Sequence, residues 1–452
     1  MPSLPLRLCA ILAAIFLFSV QISAGVERMD ILSDEPFAGG HRFGAVGAYR
    51  KVTGRIHYAV DPEAAHNAAI VDLDLAPRDD DGMIRFSGTF MLFRPQTQAA
   101  GNGTLLYDVT NRGRLTALSI FNSAPSSNDP ATLAQAGNRY LFRQGYTVMV
   151  SGWNWDVPSG GGGQTIDLPI AEAPDGTALT GPIAHEFHVR DRGHSAFIAG
   201  ISAQGYPLVD RANAVMTVRD TPMAPRRLVP RETWRFGRLR DDGSVEDSHV
   251  HVTKDTAFDP DKIYEIVATA AEPRIVGLGL AALRDAIAHV RADRAYNIDT
   301  ALIFGHSQSG RLIATLIHEG LHVDAAGLSV FDAAYVRVAG GGKGSFNHRF
   351  AQTTRHFSQV EELIYPTDYF PFSPTVTDDP LTAQRGSLLD AARAIEARRL
   401  GVDTVASGET APADAAAGSR RSAIPKLFFT NSSAEYWARA ASLIHTTPLA
   451  GQ

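Results

Sequence analysis

The chain has 452 residues, of which 44% are hydrophobic, and it carries a formal net charge of −6. This composition is typical of a globular protein with one large or two medium domains. The mild acidity and the lack of a basic run argue against nucleic-acid binding.

The first 24 residues have the pattern of a secretory signal peptide. Arg7 precedes the apolar run at 8–20, and small residues at 23–24 offer a cleavage site. Because the run is short and polar sequence follows it, a cleaved signal is favoured, with an uncleaved anchor as the alternative. The sequence therefore predicts a secreted or periplasmic protein without a stable membrane span. The one cysteine, Cys9, lies in this segment, so the mature protein is expected to lack thiol chemistry.

Residues 25–100 are predicted to form a β-rich N-terminal extension. Alternating or β-branched runs at 55–60, 69–75 and 84–94 are separated by clusters of Gly, Pro and Asp. Residues 101–452 instead alternate between strand and helix patterns, which predicts an α/β domain with one mostly parallel sheet.

Within this domain, short apolar runs predict strands and helical spacing predicts two helices. The stretch at 159–260 interrupts the pattern and is predicted to be an insertion that acts as a lid or cap. The helices are expected at 277–291 and directly after 308. The buried strands are expected at 104–109, 146–152, 264–270, 300–304, 327–331 and 426–430.

The junction after the strand at 300–304 is the main functional signal. Ser307 lies between a predicted strand and a predicted helix, with Gly305 before it and Gly310 after it. This layout is typical of a nucleophile elbow, in which a sharp turn exposes the serine hydroxyl at the edge of a sheet. The usual spacing is G-x-S-x-G, and here Ser309 occupies the fifth position. The sequence therefore predicts a variant elbow with Ser307 as the nucleophile.

A serine nucleophile needs donors for the oxyanion that forms during acyl transfer. One backbone N–H is expected from Gln308, the first residue after the serine. The other is expected from the loop at 111–114 that follows an early strand, with Asn111 and Arg112 as the candidates. The alternative for the arginines of that loop is that they are solvated surface charges.

The serine also needs a base and an acid that orients the base, in the chain order serine, acid, histidine. Glu435 follows the strand at 426–430 and is the preferred acid, with Asp332 as the alternative. His445 is the one histidine after Glu435, and it follows too soon for a further strand. His348 fits the order only if Asp332 is the acid. The expected base therefore falls beyond residue 452, and the final strand and histidine loop are expected to be absent from this chain.

The chain resembles the bacterial family of alpha/beta hydrolase domain-containing proteins over almost its whole mature length. The resemblance implies an α/β-hydrolase fold with Ser307 at the nucleophile position, and a further strand and histidine loop that this chain lacks. The motifs that carry it are at 35–40, 72–78, 107–113, 305–311, 346–350, 430–437 and 442–445.

The elbow is also similar to that of glucuronoyl esterases, in which a glycine lies three residues after the serine and a cation four after it. Gly310 and Arg311 hold these positions. One helical turn separates Ser307 from Arg311, so the guanidinium could reach a substrate carboxylate or the oxyanion. The alternative is a helix arginine that faces solvent.

Together these features predict a serine hydrolase that cleaves a small-molecule carboxylic ester. The alternative is an inactive hydrolase-like binding protein or a remnant that lacks the base. No cofactor is expected. No metal is expected either, because the histidines at 185, 188, 249 and 251 lack metal-site spacing. The substrate and the oligomeric state cannot be read from the sequence.

Overall fold

The computed structural model describes residues 25–157, 160–199, 204–354, 365, 367–402 and 421–446. The predicted signal peptide lies outside these residues. The described strands form a nine-stranded sheet, a five-stranded sheet, a three-stranded sheet and two small hairpins.

The elements are numbered in chain order. They are β1 (Gly25–Pro36), β2 (Tyr49–Val60), β3 (Ile84–Pro95), β4 (Thr104–Asp108), α1 (Ala117–Phe121), α2 (Tyr140–Arg143), β5 (Thr147–Ser151), β6 (Ile166–Asp167), β7 (Thr180–Phe187), β8 (Gly193–Phe197), β9 (Leu208–Val209), β10 (Val215–Arg219), β11 (Arg227–Val229), β12 (Trp234–Phe236), β13 (Arg238–Leu239), β14 (Val245–Glu246), β15 (His251–Phe258), β16 (Ile263–Ala271), α3 (Leu278–Ala292), β17 (Thr300–His306), α4 (Gln308–His318), β18 (Ala333–Arg337), β19 (Thr377–Asp378), β20 (Arg385–Gly386), α5 (Asp390–Leu400), β21 (Lys426–Thr430), α6 (Ser433–Ala438) and α7 (Ser442–His445).

The central sheet has the strand order β1-β2-β3-β5-β4-β17-β18-β21, and β6 pairs with β3. From β5 to β21 all neighbours are parallel, whereas β1, β2, β3 and β5 pair in antiparallel fashion. The sheet is therefore mixed, and the parallel half carries the predicted site. The predicted N-terminal extension supplies β1 to β3 of this same sheet.

The insertion forms sheets of its own. β7, β9, β10, β11 and β16 make the antiparallel five-stranded sheet, and β12, β15 and β8 make the three-stranded one. The prediction that 264–270 is a strand of the parallel sheet was therefore wrong, because that run is β16, which follows the predicted insertion and pairs in antiparallel fashion with its strands β10 and β7. An apolar run shows that a strand is buried but not which sheet buries it.

Two other predicted strands are displaced or absent. The run at 69–75 folds into turns and a short 3-10 helix at Leu73–Leu75. The strand expected at 327–331 is found instead at β18, because Gly327 has a φ of +72° in a turn that brings Leu328 back to Asp324.

Two apolar layers enclose the parallel strands. Ile303 packs in one layer with Leu283 of α3 and Leu316 of α4. Phe304, the next residue of β17, points the other way and packs with Leu118 of α1 and Phe142 of α2. Successive side chains of a strand face opposite sides, so β17 packs against both apolar layers. This packing fixes the position of its C-terminal end.

Candidate active site

The turn between β17 and α4 holds Ser307 in an unusual backbone conformation. Its φ is 58° and its ψ is −116°, a region that residues with a side chain rarely adopt. The Ser307 amide donates to the carbonyl of Arg337 at 2.8 Å, and its side chain is half-buried. A serine therefore lies on a strained strand-to-helix turn at the carboxyl edge of the parallel strands.

Close backbone approach explains both glycines of the turn. A Cβ on Gly305 would lie 2.4 Å from the carbonyl oxygen of Ser309, and one on Gly310 would lie 2.8 Å from the Cβ of Ala339. The Ser309 hydroxyl accepts from the His306 amide at 2.9 Å and donates to the His306 carbonyl at 3.0 Å. The serine at the fifth position of the motif therefore closes the turn by hydrogen bonding.

The first amides of α4 face the same turn. Gln308 is the first residue of the helix, and the first amides of a helix have no acceptor within it. They also carry the partial positive charge of the helix dipole, which favours an oxyanion. The buried side chain of Gln308 donates to the carbonyl of Thr353.

The loop after β4 lies against the turn. The side-chain amide of Asn111 donates to the carbonyl of His306 at 2.6 Å, whereas its backbone amide donates to Arg114 at 3.0 Å. Since that backbone N–H is occupied, Asn111 holds the turn and does not offer an oxyanion donor. Arg112 donates to the carbonyl of Thr354 at 2.6 Å, and burial together with the charge of Arg114 lowers its pKa to about 10.

Two buried carboxylates that the sequence did not single out fix the surroundings of this loop. Asp108 accepts from Thr116 and from the Ala117 amide at 2.7–2.8 Å, which caps α1, and burial raises its pKa to about 7. Asp156, five residues after β5, accepts from the Thr353 hydroxyl at 2.5 Å and from the amide and hydroxyl of Thr354 at 2.9 Å. Burial raises the pKa of Asp156. The sequence signals were that Asp108 ends a buried apolar strand and that Asp156 lies in the loop after another.

Arg311 is buried, with 3% of its surface exposed. Its amide donates to the carbonyl of Ser307 at 3.1 Å, one helical turn away. The alternative that this arginine faces solvent was therefore wrong.

Glu435 lies in the first turn of α6, beyond the end of β21. It forms a capping box with Ser432, and those hydrogen bonds leave the pKa of Glu435 below its usual value although burial pushes it upward. Burial and the charge of Arg337 lower the pKa of His306, and the charge of Glu435 opposes that shift. Glu435 is thus close enough to the turn to act electrostatically on the residue before Ser307.

His445 is hydrogen-bonded to Asn431 in this arrangement. It is exposed, and its Nε2 lies 3.0 Å from the side-chain amide nitrogen of Asn431, which donates to it. Asn431 in turn accepts from the amide of Gly340. Among the described residues, no histidine hydrogen-bonds the Ser307 hydroxyl.

Asp332 lies at the N-terminal ends of the parallel strands, whereas Ser307 lies at their C-terminal ends. It precedes β18, accepts from the Ala301 amide at 2.8 Å and pairs with Arg291 at 2.9 Å. Since β17 and β18 are parallel, Asp332 is level with the start of β17, roughly 20 Å from its end. Asp332 is therefore excluded as the acid. The sequence predicted a strand that ends just before Asp332, whereas the observed strand β18 begins just after it.

The buried face of α4 continues with polar groups beyond Arg311. Thr315 accepts from the amide of Gly344 at 3.2 Å, and Glu319 accepts from the side chain of Asn347. Burial raises the pKa of Glu319 to about 7, against the hydrogen bond from Asn347 and the charge of Lys343. The folded chain therefore favours the protonated form of Glu319.

We expect Glu319→Gln to change the pH dependence of stability. Because the folded pKa is raised, the contribution of Glu319 is full below about pH 4.5 and is lost as the pH rises to about 7. At pH 8 the variant should exceed the parent in free energy of unfolding by roughly 1–3 kcal/mol, and near pH 4 the two should agree. Urea denaturation at both pH values measures this, with the exposed Glu172→Gln as the control. Equal stability of variant and parent at pH 8 would contradict the expectation.

A family model described as alpha/beta hydrolase domain matches residues 244–381. Over this stretch the chain is similar to alpha/beta hydrolase domains. The matched stretch contains β17, Ser307 and α4, so the turn described above lies inside it. A search of curated proteins finds no match to the chain.

Other classes of site are not evident in the described ranges. In these ranges no group of three or more His, Cys, Asp or Glu side chains is arranged to hold a metal ion. Across the same part of the chain, no helix has both the length and the apolarity needed to cross a membrane.

Proposed function

We propose that this chain is a serine hydrolase that cleaves carboxylic esters, with Ser307 as the nucleophile. The observation that carries the proposal is the strained conformation of Ser307 on a turn that only glycine tolerates at 305 and 310. Such strain persists only where the surroundings enforce it, and it clusters at functional sites. The family match to an alpha/beta hydrolase domain supports the same class of reaction.

Each residue near the turn has a separate role in the proposed reaction. The Ser307 hydroxyl attacks the ester carbonyl, and the Gln308 amide at the start of α4 stabilises the oxyanion. Arg311 adds positive charge one turn along the helix. Asn111, Asp108 and Asp156 hold the turn and its covering loop in place. Glu435 is the proposed acid, and it orients a base histidine when that base is in place.

A hydrolase-like binding protein is the second candidate, and one observation favours it. The Nε2 atom of His445 is occupied by Asn431, so that imidazole is not free to accept the serine proton in this arrangement. A serine without a base is a weak nucleophile, and the fold would then bind a ligand without cleaving it.

A fluorophosphonate probe separates the two candidates. The hydrolase is expected to be labelled at Ser307, and Ser307→Ala should abolish labelling and lower kcat/KM for a nitrophenyl ester by about 1,000-fold or more. Ser126→Ala is the control, because Ser126 is exposed and lies outside the turn, and this variant should still be labelled. Equal labelling of parent and Ser307→Ala would exclude Ser307 as the nucleophile, and no labelling of the parent favours the binding protein.

We also propose that the protein is secreted or periplasmic, on the basis of the signal-peptide pattern at 1–24. N-terminal sequencing of protein recovered from the periplasm or medium of a bacterial host tests this. A start at residue 1, or retention in the cytoplasm, would contradict it.

A further inference from the structure

One side chain near the proposed site is buried without hydrogen bonds. Asn154 has 0% of its surface exposed, and among the described residues neither its Oδ1 nor its Nδ2 has a partner. Two neighbours of Asn154 in the loop are hydrogen-bonded. Trp153 donates to the carbonyl of Thr110 at 2.8 Å, and Asp156 accepts from Thr353 and Thr354. Nε1 of the buried Trp155, like the Asn154 amide, has no partner among the described residues. Trp153 and Asp156 therefore anchor a loop that carries adjacent unpaired polar groups.

Such an amide is costly to keep, because a buried polar group that loses water without a replacement partner destabilises the fold. Native proteins pair nearly all such groups, so each exception calls for an explanation. A second such group lies next to the nucleophile, since Oε1 of the fully buried Gln308 also lacks a partner among the described residues.

The position of Asn154 suits contact with a substrate. It follows β5, and β4 alone separates β5 from β17 in the sheet. Two strand spacings, or roughly 10 Å, therefore separate the end of β5 from the end of β17, and Asn154 lies three residues beyond the end of β5. Asn154 is thus in a loop at the same ends of the strands as Ser307, away from the bond-making step.

We propose that Asn154 is a specificity residue that binds a hydroxyl group of the ester substrate. An amide offers both a donor and an acceptor, and a hydroxyl is a small neutral group that can hydrogen-bond to both. A carboxylate would pair only with Nδ2, and an ammonium only with Oδ1. The substrate class is therefore an ester with a hydroxyl-bearing alcohol or acyl part, such as a polyol or sugar ester. This inference rests on the proposed function of Ser307.

The test compares glycerol monoacetate with propyl acetate, which differ in hydroxyl groups on the same carbon chain. The parent should prefer glycerol monoacetate, and Asn154→Leu should lower the ratio of kcat/KM values for the two esters by about 10-fold or more. Because leucine replaces the unpaired amide with an apolar group of similar volume, the variant should also melt about 1–3 °C higher than the parent.

Asn122→Leu is the matched control. Asn122 is equally buried, but it donates to the carbonyl of Ala136 at 3.1 Å and accepts from the Leu141 amide at 2.9 Å. Its replacement should lower the melting temperature and leave the ester ratio unchanged. An unchanged ester ratio in Asn154→Leu, or a melting temperature that falls as in Asn122→Leu, would overturn the proposal and assign Asn154 to a structural role.

A binding measurement separates this inference from the proposed function. Saturation-transfer NMR detects glycerol monoacetate bound to Ser307→Ala, and adding Asn154→Leu should remove the signal. If the parent cleaves neither ester but this difference persists, the hydrolase proposal fails and the hydroxyl site stands. If neither cleavage nor a difference in binding is found, both fail.

Discussion

Gly305→Ala is expected to abolish labelling of Ser307 by a fluorophosphonate probe and to lower the free energy of unfolding by about 2–4 kcal/mol. The new Cβ would lie 2.4 Å from the carbonyl oxygen and 2.5 Å from the carbonyl carbon of Ser309. These are backbone atoms at the start of α4, so no side-chain rotation relieves the contact. The turn must open, and Ser307 then loses the conformation that presents its hydroxyl next to the Gln308 amide.

Urea denaturation and the labelling rate measure the two effects of Gly305→Ala separately. Gly161→Ala is the matched control, because nothing lies within 4 Å of a Cβ built on Gly161, and it should match the parent in both measurements. Labelling of Gly305→Ala at the parental rate would show that the close approach does not maintain the serine conformation.

Asp156→Ala is expected to have the second large effect, a loss of about 2–5 kcal/mol in the free energy of unfolding and a strong fall in labelling rate. The substitution leaves three donors of Thr353 and Thr354 without an acceptor in a buried position. The same two residues accept from the Gln308 side chain and from Arg112 through their carbonyl groups. Without Asp156, Thr353 and Thr354 are expected to move, which weakens their hydrogen bonds with Gln308 and Arg112 next to Ser307.

Thr354→Val is the matched control for Asp156→Ala. It removes one of the hydrogen bonds that Asp156 accepts from Thr353 and Thr354 and keeps the backbone amide, so its destabilisation should be about 1 kcal/mol. Denaturation and probe labelling again measure both variants. If Asp156→Ala costs no more than Thr354→Val, the carboxylate is not what anchors the segment.

Features that depend on contacts within a few residues could be predicted from the sequence. β17, the turn at Ser307 and α4 were found where glycine spacing and helical periodicity indicated them. Their geometry depends on Gly305, Ser309 and Gly310, which lie within six positions of one another. α3 and β21 were also found where predicted, because each is a single apolar run or stripe with clear ends.

Roles that depend on distant partners could not be predicted. Asp156 is followed by 196 residues before the first of its partners, and no local pattern marks that pairing. The sequence favoured Glu435 as the acid and left Asp332 open as the alternative, and strand direction and register place Asp332 at the wrong end of the parallel strands. The sequence by itself therefore determined which serine lies at the strand-to-helix turn, because Gly305, Ser309 and Gly310 mark that turn locally. Only the tertiary structure decided which acids lie near this serine, because the parallel pairing of strands determines at which end of the strands each acid lies.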